Sequence, residues 1–340
     1  MSIESPPMPR DFLAPWLTVA RQYVARAMRD DKLTHAFLIQ GQTGLGQRVL
    51  AESIGQLVLC EGLGVDDSHA CGSCASCVLY LSGGHPDVHR VGLVEEKKQI
   101  AVDDVRKLSA ELQMKSYRGG AKVGIIDPAD AMNLNGMNAL LKTLEEPSRH
   151  TLLILTCARL DRFPATIASR CQRIKLRVPT RQVARSWLSA LDPNVAWDSL
   201  LDLSSGAPFA ARELAAAGAL EIDAQMATVP ELLARPNADL VELAERCQGS
   251  FPAERFRWLE LWVSDRIRKL FVTPSAGSGT NSPVLSAARR RHLQGLYSVL
   301  DMLKVSQGAL RGSANVTLLW EQVLGSLSRE LLRARPVRGR

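Results

Sequence analysis

The stretch Gly41-Gln-Thr-Gly44-Leu-Gly46-Gln47-Arg48 follows a short apolar run, His35-Ala-Phe-Leu-Ile39, and precedes helical apolar spacing from Val49 to Leu59. Strand, glycine turn and helix in that order match a phosphate-binding P-loop, G-x-x-x-x-G-K-[ST]. Gly41 and Gly46 stand at the required spacing with Gly44 between them. Such a backbone can turn its amides toward an anion at a helix N-terminus. The two side chains that handle nucleotide are replaced. Gln47 stands where a lysine would reach the β- and γ-phosphates, and Arg48 where a hydroxyl would hold Mg²⁺. The stretch reads as a nucleotide-binding frame that has lost its chemistry. A weak anion site and an active ATPase are the lesser readings.

Working outward, Lys122-Val-Gly-Ile-Ile-Asp127 is a buried strand ending in a carboxylate, placed where a Walker B strand belongs. The glutamate that usually follows, to orient the attacking water, is absent. Pro128 comes next, and the next carboxylate is Asp130. Further strands are expected at Pro86–Val91, Thr151–Thr156 and Arg173–Arg177, the last beside one face of the sheet or at its edge. Helices are expected at Val102–Met114 and Asn133–Glu146, the second stopped by Pro147. Continuous apolar strands alternating with helices mean an α/β domain with a parallel sheet covered on both faces. After Pro179 the strand signals stop. Arg181–Leu191 and Pro208–Ala217 read as short helices, and the chain is helical throughout from about residue 220. The exception is Pro274–Pro283, a flexible loop by composition. Domains are expected at 1–178, 179–219 and 220–340.

The 340 residues are 46% hydrophobic, 23% charged and 5% aromatic, which fits soluble globular domains with aliphatic cores. No apolar run approaches the ~18 residues of a membrane span. The start lacks a secretory signal, so a cytoplasmic protein is expected. The net charge is +7. The last twelve residues hold Arg329, Arg333, Arg335, Arg338 and Arg340 against Glu330, leaving only +3 elsewhere. Positive charge outside the tail is therefore thin for stand-alone DNA binding. The paired acids Glu95-Glu96 and Glu145-Glu146 read as solvated faces.

Seven cysteines in this length are no disulfide framework. Cys60, Cys71, Cys74 and Cys77 lie within 18 residues. The C-x-x-C-x-x-C spacing lets sulfurs converge on one ion, and four soft ligands suit a closed tetrahedral zinc site. A ferredoxin-type cluster would need cysteine and then proline where Leu81 and Ser82 stand. His69 or His85 could replace one sulfur or support the site from behind. A closed site leaves no open position for substrate, so its role should be structural, pinning an insert at 60–77.

Two more motifs, Asn138-Ala-Leu-Leu-Lys-Thr-Leu-Glu-Glu-Pro147 and Ser169-Arg170-Cys171, complete a set with the degraded P-loop and the cysteine insert. The set resembles the subunits of the bacterial DNA polymerase III clamp loader, in the AAA+ family, most closely over residues 35–178. The resemblance implies an ATPase-like domain with a zinc module, a small helical lid, and a helical collar that joins subunits into a hetero-pentameric ring. It implies a stator-like subunit with no ATP in its own site. The vestigial residues are then Gly41, Gly44, Gly46, Gln47 and Arg48, with Asp127 as a vestigial Walker B carboxylate. It implies partners in motor and delta subunits, and in the sliding clamp and primed DNA through the complex, with no membrane partner. It also implies that Arg170 acts in trans on a neighbour's ATP site; alone, Arg170 reads as a helix cap or a partner of a nearby acid. In place of the lid's sensor arginine stands Phe209, with Arg212 nearest. No ATPase or polymerase activity of the chain's own is expected, although the assembly contains a polymerase. The alternatives are an active motor ATPase of the same loader and a zinc-dependent DNA-binding module.

Overall fold

The computed structural model describes residues 14–64, 68–94, 97, 99–272, 287–310 and 314–333. The 274–283 loop, Glu95, Glu96 and the tail arginines Arg335, Arg338 and Arg340 lie outside the described residues. Two units divide the chain: 1–191 with 207–210, and 192–206 with 211–340.

The first unit is α/β. Its elements run α1 (Thr18–Arg29), β1 (Ala36–Gln40), α2 (Gln47–Leu59), α3 (Ala75–Leu81), β2 (Val88–Gly92), α4 (Val102–Gln113), β3 (Lys122–Asp127), α5 (Leu134–Glu145), β4 (Thr151–Cys157), α6 (Ala165–Ala168), β5 (Gln172–Lys175) and α7 (Arg181–Leu191). The five strands form one sheet in the order β2-β3-β4-β1-β5, and every pair is parallel. Phe37, Ile39, Ile125 and Ile154 pack with Leu50, Ile54 and Leu57 of α2. Leu38, Ile126, Leu153 and Leu155 pack with Leu108 of α4 and Leu140 of α5. Alternate residues of one strand therefore serve two cores on opposite faces, which is why these strands read as unbroken apolar runs. All seven residues of β4, the middle strand, are buried. β5 buries only Ile174 and lies at the edge, beside β1.

Two local devices set the strand ends. The Asn133 side chain accepts from Gly136 N at 2.9 Å and caps α5. Buried Lys122 donates from Nζ to Leu112 O and Met114 O at 2.5 Å and to Ser148 Oγ at 2.7 Å. The ammonium so binds the carbonyls that end α4 and ties that helix to the start of β3.

The chain rejoins the first unit at 207–210, at the start of α9 (Pro208–Ala216). The second unit shows only helices among its described residues, including α8 (Trp197–Leu203), α10 (Ile222–Ala227), α11 (Val229–Leu233), α12 (Leu240–Cys247), α13 (Pro252–Val272), α14 (Ala287–Ala309) and α15 (Val316–Arg333). Phe256 and Trp320 stack at 3.8 Å and 9° in its core, and Ser328 Oγ ties α15 to Leu233 O at 3.1 Å. No described helix is long and apolar enough to cross a membrane.

Candidate functional site

The glycine loop joins β1 to α2 as the sequence predicts. Gly44 and Gly46 have φ of +84° and +94°, which side-chain-bearing residues rarely adopt. Gln47 is buried, and its carboxamide folds back into the loop. Nε2 donates to Gly41 O at 2.5 Å and to Gln42 O at 2.8 Å. Those are bonds from a side chain to the loop's own carbonyls, where a phosphate-binding lysine would reach outward. Arg48 takes the other role. Its Nε lies 3.8 Å from Asp127 Oδ2, while Thr156 Oγ1 donates to Asp127 Oδ1. A guanidinium thus stands beside the carboxylate that a Walker B strand offers to a metal. Burial pushes the Asp127 carboxyl up, against the pull of Thr156 and Arg48. Asp130 is occupied in another way, accepting from Arg159 N at 3.1 Å.

The loop is also covered. Phe209 N donates to Gly44 O at 3.0 Å, and Trp16 Nε1 donates to Leu45 O at 2.9 Å. The rings of Trp16, Trp187 and Phe209 contact one another with centroids 5.0–5.9 Å apart. A Cβ at Gly46 would lie 2.5 Å from Phe209 Cε2. Gly46→Ala should therefore cost about 2–4 kcal/mol, combining the left-handed backbone with overpacking. Urea melts of the variant check this. Phe209→Ala should cost less in the Gly46→Ala background than in the wild type, because the overpacking is then relieved; an unshifted midpoint in Gly46→Ala would mean that the ring does not rest on the loop.

The cysteines of the insert converge as expected. The sulfurs of Cys60, Cys71, Cys74 and Cys77 all lie within 4.8 Å of one another, a group that could hold a metal ion. Cys71 and Cys77 Sγ are 4.0 Å apart, against about 3.8 Å for two ligands of a tetrahedral zinc–thiolate site. Cys71 N donates to Cys60 Sγ at 3.2 Å, Cys74 N to Cys71 Sγ at 3.3 Å and Cys77 N to Cys74 Sγ at 3.4 Å. The amides of Ser73 and Cys74 pull the Cys71 thiol down to about 5, whereas burial pushes Cys77 up. Neither histidine joins the four. His85 Nε2 pairs with Ser76 Oγ at 2.9 Å and its Nδ1 accepts from Asp87 N at 3.1 Å. His85 thus supports α3, the helix that Cys74 caps. From α3, Tyr80 donates to Glu52 Oε2 at 2.6 Å, and Glu52 takes Arg90 through two 2.8 Å bonds. The insert is thereby tied to α2 and β2.

Arg170 lies just after α6. Its Nη1 donates to Thr166 O at 2.8 Å, and its Nη2 meets Glu145 Oε1 at 2.9 Å. Glu145 lies exposed, as the solvated-face reading expects, and there it also meets Arg170. A guanidinium has five donors, so two fixed contacts leave three for another group. Glu145 escaped the sequence reading because its partner lies on another element, 25 residues away.

Residues 18–180 match the family model described as DNA polymerase III, delta subunit. The DNA polymerase III subunit delta' of Pseudomonas aeruginosa is 35% identical over 248 residues, covering 72% of this chain and 75% of that protein. The chain belongs to the DNA polymerase III delta-prime family. The Escherichia coli member of the delta-prime family is 31% identical over 262 residues, covering 75% and 76%. Bacillus subtilis DNA polymerase III subunit tau is 33% identical over 156 residues, 46% of this chain and 27% of its own. A gamma subunit-related protein from Thermotoga maritima aligns over 92% of this chain and 99% of its own with a TM-score of 0.44 and 18% identity.

Proposed function

We propose that this delta-prime family member is a non-hydrolysing, stator-like subunit of a DNA polymerase III clamp loader. Its task would be to help place the sliding clamp on primed DNA. The observation that carries the reading is the filled glycine loop. Gln47 occupies the loop's own carbonyls, and Arg48 stands beside Asp127. A phosphate would find no lysine there. Mg²⁺ would have to displace a guanidinium that is already paired with the carboxylate. The subunit contributes instead to a neighbour, through Arg170 acting in trans on that subunit's ATP site. Motor and delta subunits complete the hetero-pentameric ring. Residues 1–178 serve as the ATPase-like domain, 179–219 as the lid and 220–340 as the collar. Cys60, Cys71, Cys74 and Cys77 hold a structural zinc whose four thiolates leave no position for substrate.

Equilibrium titration of the isolated protein with a fluorescent ATP analogue, with and without Mg²⁺, tests the reading. No saturable binding is expected at micromolar nucleotide. Micromolar, Mg²⁺-dependent affinity would overturn it and favour a motor subunit. Co-purification with motor and delta subunits is the expected result of mixing them with this chain.

A further inference from the structure

Arg170 and Glu145 are carried on backbone that is fixed from beneath. Leu144, just before Glu145, is buried, and so is Cys171, just after Arg170. Both belong to one apolar cluster, which also takes in Ile167 and Ala168 of α6. Each charged side chain therefore stands beside a residue locked into the same close-packed core. Glu145 is the last residue of α5, and Glu146 and Pro147 bring that helix to its end. The carboxylate is thus presented at a defined place, on an element separate from the one that carries the arginine.

The guanidinium is held at two different nitrogens. Nη1 donates to Thr166 O at 2.8 Å, a contact with its own helix, and Nη2 meets Glu145 Oε1 at 2.9 Å. One contact would leave the planar group free to swing about it. Two contacts from separate directions fix its plane as well as its place. A long side chain left without them spreads over many rotamers. Both side chains of the pair stay partly exposed. The attraction is then weak enough to orient the guanidinium without sequestering it, favouring one orientation by at most about five-fold.

We propose that Glu145 is a positioning residue, holding the Arg170 guanidinium in the orientation it presents to the γ-phosphate of ATP on a neighbouring subunit. This rests on the trans role of Arg170 proposed above. Glu145 itself does not touch nucleotide. The three donors left on the guanidinium serve the phosphate oxygens. In the step they assist, water attacks the γ-phosphorus and the bond to the β–γ bridging oxygen breaks, giving ADP and phosphate. Arg170 donates hydrogen bonds to the oxygens that carry the redistributed charge and gives up no proton. Donors already aimed at those oxygens need no reorganisation when the charge develops.

Single-turnover hydrolysis of pre-bound ATP is the experiment, in complexes of the full-length chain with motor and delta subunits, clamp and primed DNA. Arg170→Ala should convert one phase of the time course into a very slow one. Glu145→Gln should slow that same phase about two- to five-fold and leave the affinity for ATP unchanged. Glu145→Ala should slow it at least as much. Glu146→Gln removes the same charge from the adjacent exposed position and should leave the phase as it is. In the Arg170→Ala background, Glu145→Gln should add nothing, because its effect passes through the guanidinium. Melts of the lone subunit show whether each variant is folded, and Glu145→Ala decides the comparison if Glu145→Gln melts early. An unchanged phase in both Glu145 variants, with the expected loss in Arg170→Ala, overturns the positioning role and leaves the trans role standing. A faster phase in Glu145→Gln, equal slowing in Glu146→Gln, or a further loss in the Arg170→Ala background overturns it as well. An unchanged time course in Arg170→Ala removes both roles.

Discussion

Replacing Arg170 by alanine should slow ATP turnover at one neighbouring site by about 10³- to 10⁵-fold, the range for loss of an arginine finger in other phosphoryl-transfer systems. Magnitudes separate this from a purely structural role. The Arg170–Glu145 pair is about one-third and one-half exposed at its two side chains. Such a pair contributes at most about 1 kcal/mol to its own fold. A structural arginine would therefore shift the subunit's melt slightly and leave the ring's chemistry alone. A catalytic arginine would do the reverse, and a thousand-fold loss corresponds to about 4 kcal/mol of barrier. Bulk ATPase of the reconstituted complex should fall less than the affected site does, because the other sites keep their own arginines. Arg170→Lys should rescue poorly, since an ammonium cannot hold Thr166 O and Glu145 and still present a planar fork. Clamp- and DNA-stimulated ATPase of reconstituted complexes, with melts of the lone subunit, is the measurement. Unchanged turnover in a fully assembled Arg170→Ala complex would end the assignment.

Metal analysis of the purified protein should return about one zinc per chain, and Cys74→Ser or Cys77→Ser should bring that close to zero after dialysis. In small zinc peptides such a site supplies about 10–16 kcal/mol of apparent binding energy, enough to be the fold. Here most of the sheet's two cores come from residues outside the insert, so loss of the ion should be a local event. Hydrogen exchange over 60–82 should rise by orders of magnitude while β3 and β4 keep their protection. Tyr80 remains bonded to Glu52, so the last turn of α3 should loosen least. Metal content unchanged in both variants would show that the four sulfurs are not the ligands.

Sequence was informative where chemistry is local. Lys122–Asp127 announced itself as an apolar run between polar neighbours, the glycine spacing located the turn into α2, and C-x-x-C-x-x-C placed three of the four sulfurs within one short stretch. It failed where partners lie far apart in sequence. Arg48 was visible as a missing hydroxyl, but not as the partner of Asp127, which arrives on a different strand. Gln47 was visible as a missing lysine, but no pattern shows a carboxamide turned back onto its own loop. Phe209 was legible as a lost arginine and not as the ring resting on Gly46. α1 was missed altogether. Only a narrow apolar stripe through Val24 and Ala25 is buried, beside the polar Arg21, too little for periodicity to detect.

The strand order has a consequence for how the protein is made. Among the described residues β1 pairs with β4 and β5 alone, and Ala36 meets Leu153 across that seam. A ribosome adding 5–20 residues per second needs about 6–23 s to travel from one to the other. For that interval Phe37, Leu38 and Ile39 have left the tunnel, or are about to, with no strand to bond. β2 and β3 can pair meanwhile, but they form a two-stranded parallel fragment with one face of each core missing. The keystone is β4, which joins β3 to β1 and is translated fourth of the five. Nascent chains halted before residue 150 should therefore be captured by chaperones and cut readily by protease, and those released beyond residue 175 should resist both.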